Sequence, residues 1–475
     1  MALLVGAVAA VVGIAGAWIP SYWGDEAATL MSASRDWASL AALLGTVDAV
    51  HGLYYAFMHL WTDLVGTSPF ATRLPSGLAF GAAAAGLTLL VRTGADRATA
   101  LLAAALLIAT PRVTQAATEA RPLAFATATA VWLTLLLVRL ADGRMSRAWW
   151  WVYAVGIGAA TTLNLYVLLL VPVHAVVLLA DPRRRAGLGA FALAAAGGVL
   201  LSGPVLAAAA LQRDQIAFRA EQEVVTPAGV LVGQWFMLGP LAVVMWLLVL
   251  AGVAAAAWHG SDPGWAGRRR LVVLAGAWIA VPTAVLLAVT LLVTPAYTPR
   301  YLVFCAPGVA IAAAVAIRLL PSVWMRVFAV VVVVALALPA YVDQRTPYAK
   351  NARTDWQDVA ATVDRLTDPG DGVVFDDGVR PSRRPRLAMH TYPDGFAGLR
   401  DLAPIRPYHR TDGLWDVTAP LADVAHRLDA VDRVVVVSRS RTGTDGDVAV
   451  LRSAGFVERE RVRLASDTVI RFERR

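Results

Sequence analysis

From its start to about residue 342 the chain is a succession of apolar runs, each close to the roughly 20 residues that an α-helix needs to cross a hydrocarbon core. A bilayer offers the backbone no hydrogen-bond partners, so segments of this kind must satisfy their own N–H and C=O groups, and helices do so. Across all 475 residues, 58% are hydrophobic and only 16% charged, which excludes an ordinary soluble enzyme and a disordered chain. The net charge of +8 is carried almost wholly by arginine, with Lys350 the only lysine. Basic runs interleaved with aromatics are not seen, so no nucleic acid is expected as a partner, and the charge is read as loops facing an anionic leaflet. The single cysteine, Cys305, cannot form an intramolecular disulfide and reads as a buried thiol.

Spans are expected near 2–19, 72–91, 98–116, 122–140, 148–163, 165–180, 187–210, 228–257, 271–293, 302–317 and 324–342. The first is read as an uncleaved span, because it has no basic n-region and no small-residue cleavage site before Trp18-Ile19-Pro20. With the N-terminus inside, the inner loops hold Arg92, Arg97, Arg139, Arg144, Arg147, Arg183, Arg184, Arg185, Arg268, Arg269, Arg270, Arg318 and Arg326. The outer segments hold Asp25, Glu26, Asp36, Asp48, Asp63, Glu119, Glu221 and Glu223. This is the positive-inside pattern, and it places the C-terminus outside. The segment 52–65 reads as interfacial, re-entrant or a further span, so about 11 transmembrane helices are expected, and about 13 at most.

After Tyr341 the composition changes. A helix near 355–366, a turn at Asp368–Asp371, a strand at 372–375, helices near 383–391 and 419–429, a strand at 433–438, a helix near 446–454 and two edge-like strands, 458–464 and 467–473, describe a small α/β domain. The expected organisation is therefore a transmembrane domain over 1–342, with a first outer loop at 20–71, and an extracytoplasmic α/β domain over 343–475. The latter has no glycine-rich phosphate loop, so no nucleotide is assigned to it.

Candidate chemistry gathers on the outer side. Asp25 and Glu26 lie just beyond the first span; a partly desolvated carboxylate there can serve as a base, while the same pair also suits the acidic first turn of a helix. Glu119-Ala120-Arg121-Pro122 and Pro299-Arg300-Tyr301 each put an arginine at an outer helix junction, where a guanidinium can hold a phosphate through two hydrogen bonds or can pair internally. His51 and Tyr54 open the 52–65 segment; His51 and His59 stand eight apart, which does not suit a zinc pair, so no metal ligand is assigned. Asn164 and Tyr166 suit a helix turn. Arg213, Arg219, Glu221 and Glu223 suit a solvated amphipathic face.

The order Gly24-Asp25-Glu26, Gly52-Leu53-Tyr54-Tyr55, Arg73-Leu74-Pro75-Ser76, Glu119-Ala120-Arg121-Pro122 and Pro299-Arg300-Tyr301 resembles the GT-C superfamily of membrane glycosyltransferases. Within it the chain is similar to the polyprenyl-phosphate-mannose-dependent mannosyltransferases, the family 39 or protein O-mannosyltransferase-like group and its actinobacterial relatives. The resemblance implies a multi-pass cell-membrane enzyme that takes one sugar from a polyprenyl-phosphate donor and inverts the anomeric carbon. The acceptor would be a glycan, glycolipid or protein of the cell envelope. It implies Asp25 as base with Glu26 beside it, and Arg121 and Arg300 on the donor phosphate; His51, Tyr54, Glu119 and Tyr301 are the further substrate-binding candidates, with the role of His51 left open. No cofactor is required, although a divalent cation at the acidic pair is compatible with it. The chain departs from many relatives in placing His51-Gly52 where they have prolines. Arabinosyl or another sugar is the nearest alternative to mannose. A lipid or sugar transporter is the alternative from another class, and would be expected to show inverted repeats and ionisable groups at midspan.

Overall fold

The computed structural model describes residues 1–213, 225–259, 262–439 and 445–475; Arg219, Glu221 and Glu223 lie outside the described residues. By contacts the chain divides into two compact units. One comprises Met1–Ala17, Ala49–Tyr54 and Arg73–Asp343, the other Trp18–Asp48, Tyr55–Thr72 and Gln344–Arg475.

The first unit is a bundle of helices, and each expected span has a helical counterpart. Among the described residues, six helices are long and apolar enough to cross a membrane: Pro69–Val91, Leu123–Ala141, Gly239–Trp258, Pro263–Leu292, Pro299–Leu319 and Val323–Asp343. Two bent pairs, Arg97–Ile108 with Pro111–Ala117 and Arg185–Leu201 with Gly203–Leu211, raise the number to eight if each is one span. Ala2–Ile14 and Leu165–Ala180 are shorter apolar helices, and Trp149–Leu163 is a 15-residue helix. Proline explains the first break: Pro111 lacks the N–H that would continue the preceding helix, and it starts the next one at the position where no partner is needed. Among the described residues, Ala306–Ile317 is buried throughout, which makes this alanine-rich helix the centre of the bundle. Small residues permit that position. A Cβ on Gly252 would stand 2.3 Å from the carbonyl oxygen of Ala312, so the two backbones meet where only glycine fits.

One end of the bundle is fastened by ion pairs. Arg184 holds Asp142 through two hydrogen bonds of 2.8 and 3.2 Å, Asp181 stands 3.7 Å from Arg184 and 3.6 Å from Arg270, and Arg318 lies 2.7 Å from Asp96. Each of these arginines belongs to a loop or helix end that the charge pattern placed on a single side.

The second unit is built on a five-stranded mixed sheet. In chain order the strands are β1 (Gly372–Phe375), β2 (Arg400–Asp401), β3 (Pro404–Arg406), β4 (Val417–Thr418), β5 (Arg433–Ser438), β6 (Phe456–Arg463) and β7 (Thr468–Arg474). The sheet runs β2-β1-β5-β7-β6, with β1 parallel to β2 and β5, and β7 antiparallel to β5 and β6; β3 and β4 form a separate pair. Side chains alternate along the strands, so each face has its own core. Val373, Phe375, Val435, Val437 and Val469 pack with Trp356, Val359 and Val363, whereas Val374, Val434, Val436, Ile470 and Phe472 pack with Leu421, Leu428 and Leu451. The first core also includes Tyr22 and, from the helix Gly24–Ala33 that follows it, Ala27, Leu30 and Met31.

Two expectations are corrected here. The strand expected at 467–473 is not an edge: β7 pairs on both sides, because Val469, Ile470 and Phe472 give it apolar residues for both faces. The helix expected over 383–391 is a 3-10 turn at Pro381–Arg383 followed by a short helix, Leu387–Thr391, since Pro385 cannot supply the N–H a continuous helix would use.

Candidate functional site

In the second unit the helix Gly24–Ala33 carries both candidate carboxylates, Asp25 and Glu26, in its first turn. Its start is held by Tyr22, whose hydroxyl hydrogen-bonds to Thr72 (2.6 Å) and donates to the carbonyl of Thr67 (2.8 Å), and whose backbone N–H donates to the Tyr392 hydroxyl (3.0 Å). Gly24 is pressed against the 381–383 turn: a Cβ there would lie 2.2 Å from the Ser382 carbonyl oxygen, so no other residue fits without movement. Beyond the far end, buried Arg35 donates to the carbonyls of Thr411 (2.9 Å) and Gly413 (2.6 Å). A helix fixed at both ends presents its side chains in one orientation. The neighbouring acids consequently differ: Glu26 is 0% exposed, while Asp25 is partly exposed and reachable from outside.

In the first unit, the turn carrying Glu119 and Arg121 joins Pro111–Ala117 to Leu123–Ala141. It is tied by Ser76, whose hydroxyl donates to the carbonyl of Glu119 (2.6 Å) and, more weakly, to that of Arg121 (3.4 Å). Fully buried Arg73, three residues earlier, donates to the carbonyl of Ala17 (2.8 Å) at the end of the first span. The Arg-Leu-Pro-Ser segment therefore positions backbone. Arg121 Nη2 lies 2.9 Å from His51 Nε2. A guanidinium can only donate, so in this contact the imidazole nitrogen is the acceptor. Glu119 is 3% exposed, and Tyr54 is buried edge-on against Phe125 at 5.9 Å between ring centroids.

Arg300 and Tyr301 sit in the 3-10 turn Pro299–Cys305. The Tyr301 ring stacks on Tyr166 at 4.6 Å and 22°, the Arg300 guanidinium lies 5.6 Å from the Tyr301 ring centre, and the Tyr166 hydroxyl donates to the Ala296 carbonyl (3.1 Å). Asn164 accepts the N–H of Tyr166 (3.1 Å), the turn role expected for it. A further arginine joins this end of the bundle. Arg112 donates through Nε to the carbonyl of Gly233 (3.1 Å) and through Nη1 to the Gln115 side chain (2.7 Å), within electrostatic reach of Arg300, Glu119 and Tyr297. Sequence reading passed over it because it falls inside the apolar run 98–116; an arginine embedded in such a run was the signal available.

The first unit thus brings His51 to Arg121, Glu119 into the same turn, and Arg112 into the field of Arg300, with aromatic rings beside both junctions. Convergent guanidinium groups of this kind suit a phosphate or other anion. Among the described residues no three His, Cys, Asp or Glu side chains gather closely enough to share a metal ion.

Residues 52–207 match the family model described as Dolichyl-phosphate-mannose-protein mannosyltransferase. That stretch contains three of the ordered motifs, at 52–55, 73–76 and 119–122; the motifs at 24–26 and 299–301 lie outside it. No curated protein matches the chain by sequence. Among solved structures, ArnT from Cupriavidus metallidurans bound to undecaprenyl phosphate is similar over 98% of this chain and 97% of its own, at 14% identity and a TM-score of 0.60. Apo ArnT from the same organism gives a TM-score of 0.55 at the same identity and coverage. The Archaeoglobus fulgidus oligosaccharyltransferase in complex with zinc and sulfate covers 92% of this chain and 68% of its own, at 13% identity and a TM-score of 0.51. At these identities the likeness is one of fold. The expected class, a polytopic helical membrane protein of GT-C type with a C-terminal α/β region, is the one observed.

Proposed function

We propose that the chain is an inverting membrane glycosyltransferase that moves a sugar, with mannose the first candidate, from a polyprenyl-phosphate donor to a cell-envelope acceptor on the outer face. The observation that carries this reading is the gathering of Arg121 with His51, and of Arg112 with Arg300, at one end of a bundle whose whole length follows the fold of a protein solved with undecaprenyl phosphate. The family match over 52–207 supports the donor class and motivates the choice of mannose.

In this reading Asp25 takes the proton of the acceptor hydroxyl as its oxygen attacks the sugar carbon. The carbon–oxygen bond to the donor phosphate breaks, and the phosphate leaves with the electron pair. Arg121 and Arg300, with Arg112 beside them, stabilise the charge that grows on the leaving phosphate; preorganised donors of this kind are often the largest catalytic contribution. A phosphate monoester leaves without a proton, so no general acid is needed. Asp25 is preferred to Glu26 because it is the accessible member of the pair. His51, 2.9 Å from Arg121, helps to orient its guanidinium.

The test is transfer of labelled mannose from polyprenyl-phosphate-mannose to endogenous acceptors in membranes, comparing wild type with Asp25→Asn and with the other sugar donors in parallel. Loss of about 10²- to 10⁴-fold in rate with the variant still inserted is the expected effect of removing a general base. Wild-type membranes that transfer another sugar but not mannose would correct the donor. Normal transfer by Asp25→Asn would remove it as base.

A further inference from the structure

The arginines at the ion-paired end of the bundle do not all have partners of one kind. Arg184, Arg270 and Arg318 face aspartates. Arg139, in the last turn of Leu123–Ala141, is only partly exposed, and no acid, carbonyl or aromatic ring among the described residues engages it. Its neighbour Asp142 is taken by Arg184. A half-buried guanidinium without a counter-charge is costly near a membrane unless an anion reaches it.

Arg139 closes one end of a cavity of about 550 Å³ between Leu123–Ala141 and Trp149–Leu163. The rest of its wall is almost entirely apolar, including Trp132, Leu136, Trp149, Val152 and Ala159. From Thr129 to Arg139 the groove follows ten residues of helix, or ~15 Å, which is about half of a ~30 Å hydrocarbon core. That is the depth of a single leaflet. Trp149, at the Arg139 end, has the amphipathic ring that favours the headgroup level.

We propose that this groove is a binding site for an anionic glycerophospholipid, with the headgroup phosphate on Arg139 and an acyl chain along Trp132, Val152 and Ala159. The polarity of the groove selects this occupant. A phospholipid seated from the Arg139 end sets charge on charge and hydrocarbon on hydrocarbon. An isoprenoid entering from the opposite end, near Leu53, would bring its apolar terminus against the guanidinium. The site does not depend on the proposed reaction.

The experiment is native mass spectrometry of the full chain, stripped of lipid in detergent and then titrated with phosphatidylglycerol, phosphatidylcholine of the same chains, or polyprenyl phosphate. Retention of phosphatidylglycerol about tenfold better than phosphatidylcholine is expected, as is its loss in Arg139→Gln and its recovery in Arg139→Lys, because one charge-assisted hydrogen bond is at stake. Ala159→Trp, which fills the groove from its open side, should abolish retention without touching the charge. Equal retention of the two phospholipids by wild type overturns the proposal, as does undiminished phosphatidylglycerol binding by Arg139→Gln. Polyprenyl phosphate that displaces phosphatidylglycerol and is itself lost in Ala159→Trp would assign the groove to the donor tail and overturn it equally.

Discussion

The two ends of the helical bundle use arginine in opposite ways. At one end Arg184, Arg270 and Arg318 are matched by Asp142, Asp181 and Asp96, and their positive charge is spent on holding loops together. At the other, Arg121 lies 2.9 Å from the His51 imidazole, and Arg112 donates to a carbonyl and an amide in the field of Glu119. The same residue type therefore ties loops to aspartates at one end and, at the other, donates to an imidazole, a carbonyl and an amide.

The sharpest way to break this comparison is to remove the charge at the second end. Arg121→Gln and Arg300→Gln should each lower kcat of sugar transfer about 10²- to 10³-fold, the range for loss of one preorganised donor to a developing anion. Membrane insertion should be unchanged, which can be read from protease protection of the C-terminal region. Arg112→Gln is expected to act in the same direction. At the first end Arg184→Gln should leave kcat alone and instead lower thermal stability by about 1.5–3 kcal/mol, since two charge-assisted hydrogen bonds to Asp142 are lost from a nearly buried side chain. Thermal unfolding in detergent, followed beside the transfer assay, separates the two behaviours. A rate loss in Arg184→Gln without a stability loss would erase the distinction.

A smaller effect concerns acid. Burial opposes ionisation of Asp96, but the hydroxyl and N–H of Thr99 and the Arg318 guanidinium outweigh it and hold the carboxyl well below the usual range. Its contribution to stability is therefore present above the ordinary carboxylate pKa and is lost as pH falls further. Arg318→Gln should shift the acid limb of thermal stability toward higher pH, measured between pH 5 and 2.

The second unit shows a third way of handling buried charge. Burial pushes the Asp467 carboxyl up to about 9, helped by its hydrogen bond to Asp355 and the repulsion between the two acids. Asp355 already accepts the backbone N–H groups of Ser466 and Asp467 (2.7 and 3.1 Å). A raised value means that the folded state favours the protonated acid. Its stability is complete below the ordinary pKa and declines as pH rises toward 9. Asp467→Asn should remove that decline, making the variant more stable than wild type at pH 9 and nearly equal at pH 4, as read from Tm across the range. A parallel decline in the variant would mean that Asp467 is ionised in the fold.

Much of this was legible in the amino-acid order. Apolar runs of membrane-crossing length give the helices of the bundle, because hydrophobic length and internal hydrogen bonding are local properties. The arginines of the loops sorted to one side by charge alone, and the aspartates that join them lie at that same end. The strands β1 and β5 were readable from short β-branched runs; the internal position of β7 was not, because pairing on both edges depends on strands distant in sequence.

Residue types and order thus determined a polytopic helical chain, a trailing α/β region and a short set of charged residues at helix junctions. Tertiary structure decided what each charge faces. Adjacent in sequence, Asp25 and Glu26 are separated by the rotation of one helix whose two ends are clamped, so one is accessible and the other buried. Arg121 and His51 are 70 positions apart and meet only because two turns fold together. Arg139, one of many arginines in the sequence, is distinguished solely by the apolar groove it closes. Burial and partner are properties of packing, and packing joins residues that no local pattern connects.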